Sequence, residues 1–463
     1  MGRRLQLSLP RVCLILPLVL FLILRLAPCR ADEPAIRVGL TSAGKPSGIT
    51  VKCDKPFDIV DASDGRALTC VDGRQAVFSA SGGQIRVSLG GEETGSFDGP
   101  LRLVPAGNDA VFEIVSPKTR YSRYRGVLEI RSGSALSLVN ELPLEDYIRG
   151  VTPVEIPQSF HPEAQKALVL AIRTYALTSL GRHAADGCNV CDTTHCQGFA
   201  GASKDAPWID RLIDQTRGRI IVYKGEPIHA VYSTDCGGMT QNNEDAGFGD
   251  KPWPYLRAVV DAPSGACGSV GVWGCGGAGD AGIALDARVA SSPSPNPQSE
   301  IRNPQSADYC GRSRSHTWSK TFTADELDRA FSPLNSPKIG KFQSLEFAER
   351  DCSGRVRTVV IKGDRGEYRM QGRKFRELLG VNAIKSTRMT LAVTEDGSYT
   401  YSGRGYGHGV GLCAFGADGL ARSDAKITYV DILKHYYTGI EITPISECPA
   451  AGGIPLQAGQ IAD

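Results

Sequence analysis

From Ile36 to about Leu138 the chain is a succession of short runs, IRVGL, ITVKC, FDIVDA, AVFSA, QIRVSL, LRLV, VFEIV and GVLEIRS. Gly-Gly, Asp-Gly and Ser-Gly pairs separate several of them. Alternation at period two, punctuated by turn residues, is the signature of half-buried strands, so this region is predicted to fold as sheet. The pattern changes at Val139. Pro143 opens a short helical segment, Leu144 to Val151, with Glu145 and Asp146 in its first turn, where the helix dipole favours anions. Pro162 opens a longer one, to about Leu180, in which Ala164, Ala167, Leu168, Ala171, Ile172 and Tyr175 mark a buried side at helical spacing. Strands first and then clustered helices, rather than strict alternation, define a β-rich α+β chain with its helices grouped around Glu155.

Further along, Arg219 to Tyr223 and Ile228 to Ser233 read as paired strands joined through Lys224-Gly225-Glu226. A Gly-, Pro- and Ser-rich stretch from Gly276 to about Ala307 holds a near-repeat, NPQSEIR then NPQSA, and has almost nothing to bury, so it is expected to be disordered. Structure resumes near Trp318, with a helix at Ala324 to Phe331 and strands at Ser344 to Glu349, Val356 to Lys362 and Met389 to Thr394. A last helix spans Tyr429 to Tyr437. The expected organisation is an export segment (1–31), a β-rich region (32–137), a core (138–275), an insertion (276–308), a return to the core (309–446) and a flexible tail (447–463).

The first residues pair a basic stretch (Arg3, Arg4, Arg11) with an apolar run, Val12 to Leu24, and place small residues at Cys29 and Ala31. That is a secretory signal, with an uncleaved or lipid anchor as the competing reading. Its five arginines account for more than the formal charge of +2, so the remainder carries 47 basic and 50 acidic residues, a net −3. With no basic block left, nucleic acid is excluded as a partner class. Twelve of the 14 cysteines lie beyond Cys29, an even number in a chain read as exported, which favours disulfides. Cys53 and Cys70, flanking an expected hairpin, are the most local pair.

Glu155 lies among Val154, Ile156 and Pro157, between two expected helices. Desolvation can raise a carboxyl by up to about 3–5 pKa units, whereas an exposed helix dipole is worth under one. A buried Glu155 therefore keeps its proton near neutrality; an exposed one is an ordinary turn carboxylate. A protonated acid of this kind serves glycosidic cleavage, where it protonates the leaving oxygen. Hydrolases add a second carboxyl, whereas an intramolecular route reuses the first as base on the sugar's own C6 hydroxyl. Lys166 and Arg173 share another helix face, for which a solvated stripe is the plain reading.

The segment LPLEDYIRGVTPVEIPQSFHPEAQKALVLAIRTYAL resembles the core signature of the stage II sporulation protein D (SpoIID)/LytB family. CDTTHCQGF (191–199), YSTDCGGMTQNNEDAG (232–247), STRM (386–389), YSGRGYGHGVGLCAFGADGLA (401–421) and ILKHYYTGIEI (432–442) follow in the same order. The resemblance implies a β-rich fold with a few helices around a substrate cleft, and a peptidoglycan lytic transglycosylase that cuts between N-acetylmuramic acid and N-acetylglucosamine. Glu155 falls at the family's catalytic glutamate, and Arg173 would stand by the cleft. Tyr175, Ser233, Gly237, Gly238 and His408 fall in blocks that would contact the glycan. The family's LytB side implies the alternative, a non-catalytic enhancer of cell-wall amidases. Retention of Glu155 and Arg173 favours the enzyme, and no cofactor is needed for it. A purely structural envelope protein fits poorly with so many matched blocks.

Cys191, His195 and Cys196, close to Cys188, offer soft ligands at short spacing. They could hold a structural Zn²⁺, as family members with this pattern can, or Cys188, Cys191 and Cys196 could supply a disulfide. A cysteine-protease dyad lacks a recognisable orienting partner. Cys236 and Cys413 lie in loops that the family brings towards the cleft, implying a disulfide bracing it. The glycine string around His408 lacks the Gly-Lys-Ser/Thr ending of a phosphate loop. Leu412-Cys413-Ala414 stands where the family commonly has Met-Ser-Gln, which removes an amide from that position.

Overall fold

The computed structural model describes residues 33–72, 75–263, 308–334 and 339–448. The export segment, nearly all of the 276–308 insertion and nearly all of the tail lie outside them. The architecture below belongs to the unit Ile36–Asp463.

The alternating runs form two sheets. In spatial order the first is Val190–Cys191, Ala35–Gly39, Ser137–Pro143, Val127–Arg131, Leu101–Pro105, Phe57–Asp61 and Ala67–Val71. The second is Arg123–Tyr124, Phe112–Ser116, Gly48–Cys53, Gln75–Ser81, Gln84–Leu89 and Glu92–Phe97. Alternate residues such as Ile49, Val51, Ala76, Phe78, Ile85 and Val87 are buried, as the period-two pattern requires. Phe57 of one sheet meets Phe112 of the other edge-on at 5.3 Å, so the two share a core. Cys53 ends a strand of the second sheet and is buried, whereas Cys70 sits exposed on an edge strand of the first. Both are free thiols, and the expected local disulfide is absent because the chain changes sheet between them.

Strand Ser137–Pro143 feeds helix α1 (Leu144–Glu155). α1 runs on to Glu155 instead of stopping at Val151, passing through Pro153. Proline removes one intrahelical donor. The last turn nevertheless closes: the Thr152 hydroxyl donates to Ile148 O (2.8 Å) and the Ile156 amide to Thr152 O (2.9 Å). Helix α2 (Pro162–Thr178) starts at His161, whose ring accepts from the Glu163 amide, and is buried on almost every side. Helix α3 (Pro207–Thr216) packs against both. Lys166 is not part of a solvated stripe: it pairs with Glu163 and lies 5.5 Å above the Tyr429 ring.

Strand Arg219–Tyr223 turns through Lys224 and Gly225, both at positive φ, into Glu226–Pro227. The expected strand to Ser233 is broken: Tyr232–Ser233 leaves this sheet to pair in parallel with Leu412–Cys413. From Thr317 a second core forms. Thr317–Phe322, Tyr399–Arg404 and Met389–Val393 make one sheet, and Phe342–Arg350, Val356–Gly363 and Gly366–Gln371 another. Helices α4 (Ala324–Phe331) and α5 (Gly372–Leu379) cover them through Leu327, Phe331 and Phe375. Helices α6 (Ala414–Ser423) and α7 (Tyr429–Tyr436) return to the first core against α2. The wholly buried Arg355 ties the cores together, donating to Cys236 O (2.6 Å) and Met239 O (2.9 Å).

Candidate functional site

A cleft of about 1070 Å³ opens between the two cores. The first supplies Pro153 to Pro157, Phe160, Tyr175, Tyr232 and Phe415; the second supplies Val356 to Thr358, Arg373, Arg376 and Thr387. Glu155, Tyr175, Ser233, His408, His195 and Cys196 of the expected residues line it.

Glu155 is the last residue of α1. It does not lie between two helices, as expected, but closes the first of them, at the negative end of the dipole, which disfavours its anion. The Gly198 amide donates to its Oε1 at 2.7 Å. Burial pushes the carboxyl above the usual range, and that single hydrogen bond offsets only part of the rise. A β-carbon at Gly198 would lie 2.6 Å from Val154 Cγ1 and 3.1 Å from Glu155 Oε1, so only glycine lets this loop approach so closely.

The other acids of the cleft are engaged by arginines. Glu244 pairs with Arg257, Asp245 with Arg357, Glu349 with Arg369 and Glu377 with Arg373. Asp245, which the sequence reading missed, is the one of these whose carboxyl burial raises. Arg182, also missed, lines the cleft and links Tyr175 Oη (3.0 Å) to His195 Nε2 (3.2 Å).

His195, Cys191 and Cys196 converge as expected, and His183 joins them; each offers a ligand atom within 4.8 Å of the others. His183 Nε2 is 3.3 Å from Cys196 Sγ, and His195 Nδ1 is 3.7 Å from both sulfurs. Hydrogen bonding from Cys196 pulls the Cys191 thiol down to about 3, and the same contact pushes Cys196 far up. A Cys₂His₂ donor set of this kind fits tetrahedral Zn²⁺. Cys188, Cys191 and Cys196 are free thiols.

Three expectations are corrected. Arg173 is wholly buried and away from the cleft lining, because its guanidinium grips Glu145 at 2.9 and 2.7 Å and so joins α2 to α1. Gly237 and Gly238 do not line the cleft either; both hold positive φ, against the Arg404 backbone and the Asp308 carboxyl. Cys236 and Cys413 are free rather than disulfide-linked, the Cys236 amide donating to Cys413 Sγ at 3.2 Å.

Ser233 lines the cleft, its hydroxyl buried and without a hydrogen-bond partner among the described residues. His408 accepts from the Val410 amide at 3.0 Å and meets the Phe248 ring edge-on. Burial and the nearby Arg376 push it down to about 3, so its imidazole is neutral.

A β-rich α+β fold with one unpaired, desolvated acid beside a Cys/His cluster defines the class. Residues 132–223 match the family model described as Stage II sporulation protein (SpoIID). Residues 242–411 match a domain of unknown function, DUF8618. An uncharacterised protein of Brachyspira hyodysenteriae is 29% identical over 69% of this chain and 72% of its own. Stage II sporulation protein D of Bacillus subtilis is 27% identical over 66% of this chain and 76% of its own. The amidase enhancer of Bacillus subtilis is 29% identical over 64% of this chain, which spans only 40% of that protein.

Proposed function

We propose that this protein acts on the bacterial cell wall as a peptidoglycan lytic transglycosylase, with Glu155 as its acid and base. The observation that carries this reading is a carboxyl on the cleft wall, at a helix C-terminus, that burial raises above its usual range, while the acids around it are paired with arginines. The protonated Glu155 donates to the glycosidic oxygen as the C1–O bond breaks. The resulting carboxylate takes the proton of the C6 hydroxyl, whose oxygen bonds to C1 and closes a 1,6-anhydro ring. Tyr175, Ser233 and His408 stand where a glycan would lie. His183, Cys191, His195 and Cys196 would hold a Zn²⁺ that fixes the loop carrying Gly198, and no chemical step uses it. The names of two relatives, stage II sporulation protein D and amidase enhancer, support an envelope role with cell-wall amidases as partners. An exported, envelope-facing location is part of the same proposal. No helix among the described residues is long and apolar enough to cross a membrane.

Two other readings have a specific observation behind them. Asp245, which lines the same cleft, would be the second carboxyl of a hydrolase, and the amidase-enhancer relative favours binding without cleavage. Digestion of purified peptidoglycan followed by product masses separates the three. Anhydromuramic ends that vanish in Glu155→Gln are expected. Reducing muramic ends would make it a hydrolase; binding with no cleavage would make it an enhancer.

A further inference from the structure

Behind the cleft wall, away from the Cys/His cluster, four residues far apart in sequence converge. Cys236 follows strand Tyr232–Ser233, Cys413 ends the strand paired with it, Asp261 closes the loop after Val260, and Cys310 lies in a short turn from Tyr309. All four are 0% exposed, and each offers a ligand atom within 4.8 Å of the others. We propose that Cys236, Asp261, Cys310 and Cys413 form a second, structural Zn²⁺ site that staples the cleft's two central loops together.

The geometry suits the ion. Zn–S bonds of about 2.3 Å place tetrahedral sulfurs about 3.8 Å apart. Cys236 Sγ and Cys310 Sγ are 3.7 Å apart, and Cys236 Sγ lies 3.0 Å from Asp261 Oδ2. The surroundings are arranged as they are around bound thiolates. Cys413 caps helix α6, and its sulfur accepts from the Gly416 amide (3.3 Å) as well as from Cys236 N (3.2 Å). The Tyr436 hydroxyl donates to Asp261 Oδ1 at 2.5 Å, orienting the carboxylate from outside. Gly416 leaves room for that carboxylate, since a β-carbon there would fall 2.4 Å from Oδ2.

Charge balance supports the same assignment. Three thiolates and a carboxylate around a divalent cation leave an excess of about two negative charges. Two largely buried guanidiniums answer it from the backbone side: Arg355 on Cys236 O at 2.6 Å and Arg388 on Gly237 O. Without a cation, three thiols and an acid would share a dry, fully buried pocket. Cys310 also faces Asp235 and His316, but that alternative set has three members, and His316 already lies between the Asp235 and Asp308 carboxylates at 3.4 and 3.3 Å.

Zinc is to be counted in the full chain, purified without chelator. About two ions per chain are expected in the unaltered protein and about one in the Cys191→Ser, Cys196→Ser variant. Adding Cys310→Ser and Cys413→Ser should remove the second. Should that variant fold poorly, Co²⁺ titration of the unaltered chain gives an independent reading: the intense near-ultraviolet sulfur-to-cobalt absorption is expected to grow over two equivalents rather than one. Retention of no zinc by the Cys191→Ser, Cys196→Ser variant overturns the proposal. So does peptide mapping that finds any two of Cys236, Cys310 and Cys413 joined as a disulfide.

Discussion

The Gly198 amide donates to Glu155 Oε1 across 2.7 Å, joining the Cys/His loop to the end of α1. One donor against a desolvated carboxyl holds the group in place without forcing it to ionise. Glu155→Gln keeps the shape and removes the proton. Cleavage is expected to fall by about 10²–10⁴-fold, measured as anhydromuramic ends released from purified peptidoglycan.

The same variant has a thermodynamic signature. The folded carboxyl titrates above its unfolded value, so its contribution to stability is complete below the unfolded pKa and is lost as pH rises through the folded one. Glu155→Gln should therefore melt above the unaltered protein at neutral pH, and the difference should close below about pH 4. Melting curves over a pH series test this.

Gly198→Ala forces a carbon towards Val154 and Glu155 and drives the amide away. Losing that hydrogen bond should raise the Glu155 pKa further, moving the alkaline limb of the pH–rate profile upward while lowering the maximal rate. An unmoved limb would show that the amide does not govern the acid.

Arg173 is expected to matter for folding rather than for substrate. Arg173→Met strands the buried Glu145 and should cost about 3–5 kcal/mol in denaturant unfolding. Pairing it with Glu145→Leu should recover much of that loss, and KM of the surviving fraction should stay unchanged.

His408 is neutral across ordinary conditions, its titration pushed down to about 3. The pH–rate profile of His408→Asn should match the unaltered protein in shape between about pH 4 and 9, with only KM raised.

What the sequence made legible was local. Thr323 and Glu326 cap one another, and helix α4 runs over the expected Ala324–Phe331. The period-two runs became the two sheets, and the apolar context of Glu155 did mark a desolvated carboxyl. Pro153 hid the last turn of α1, because a proline usually ends a helix. Arg173 was misplaced because its partner, Glu145, lies a helix away. His183 was missed because its spacing to Cys191 matches no common ligand motif, and the Cys236–Cys413 pairing overlooked Cys310, which only folding brings beside them.

The acid and the far wall of the cleft belong to separately packed cores, tethered through the Arg355 guanidinium. Groove width is thus a property of how one lobe is seated on the other, independent of the groups that move protons. Changes at the seat, distant from Glu155, would alter which ligands the groove admits while the reacting centre stays as it is.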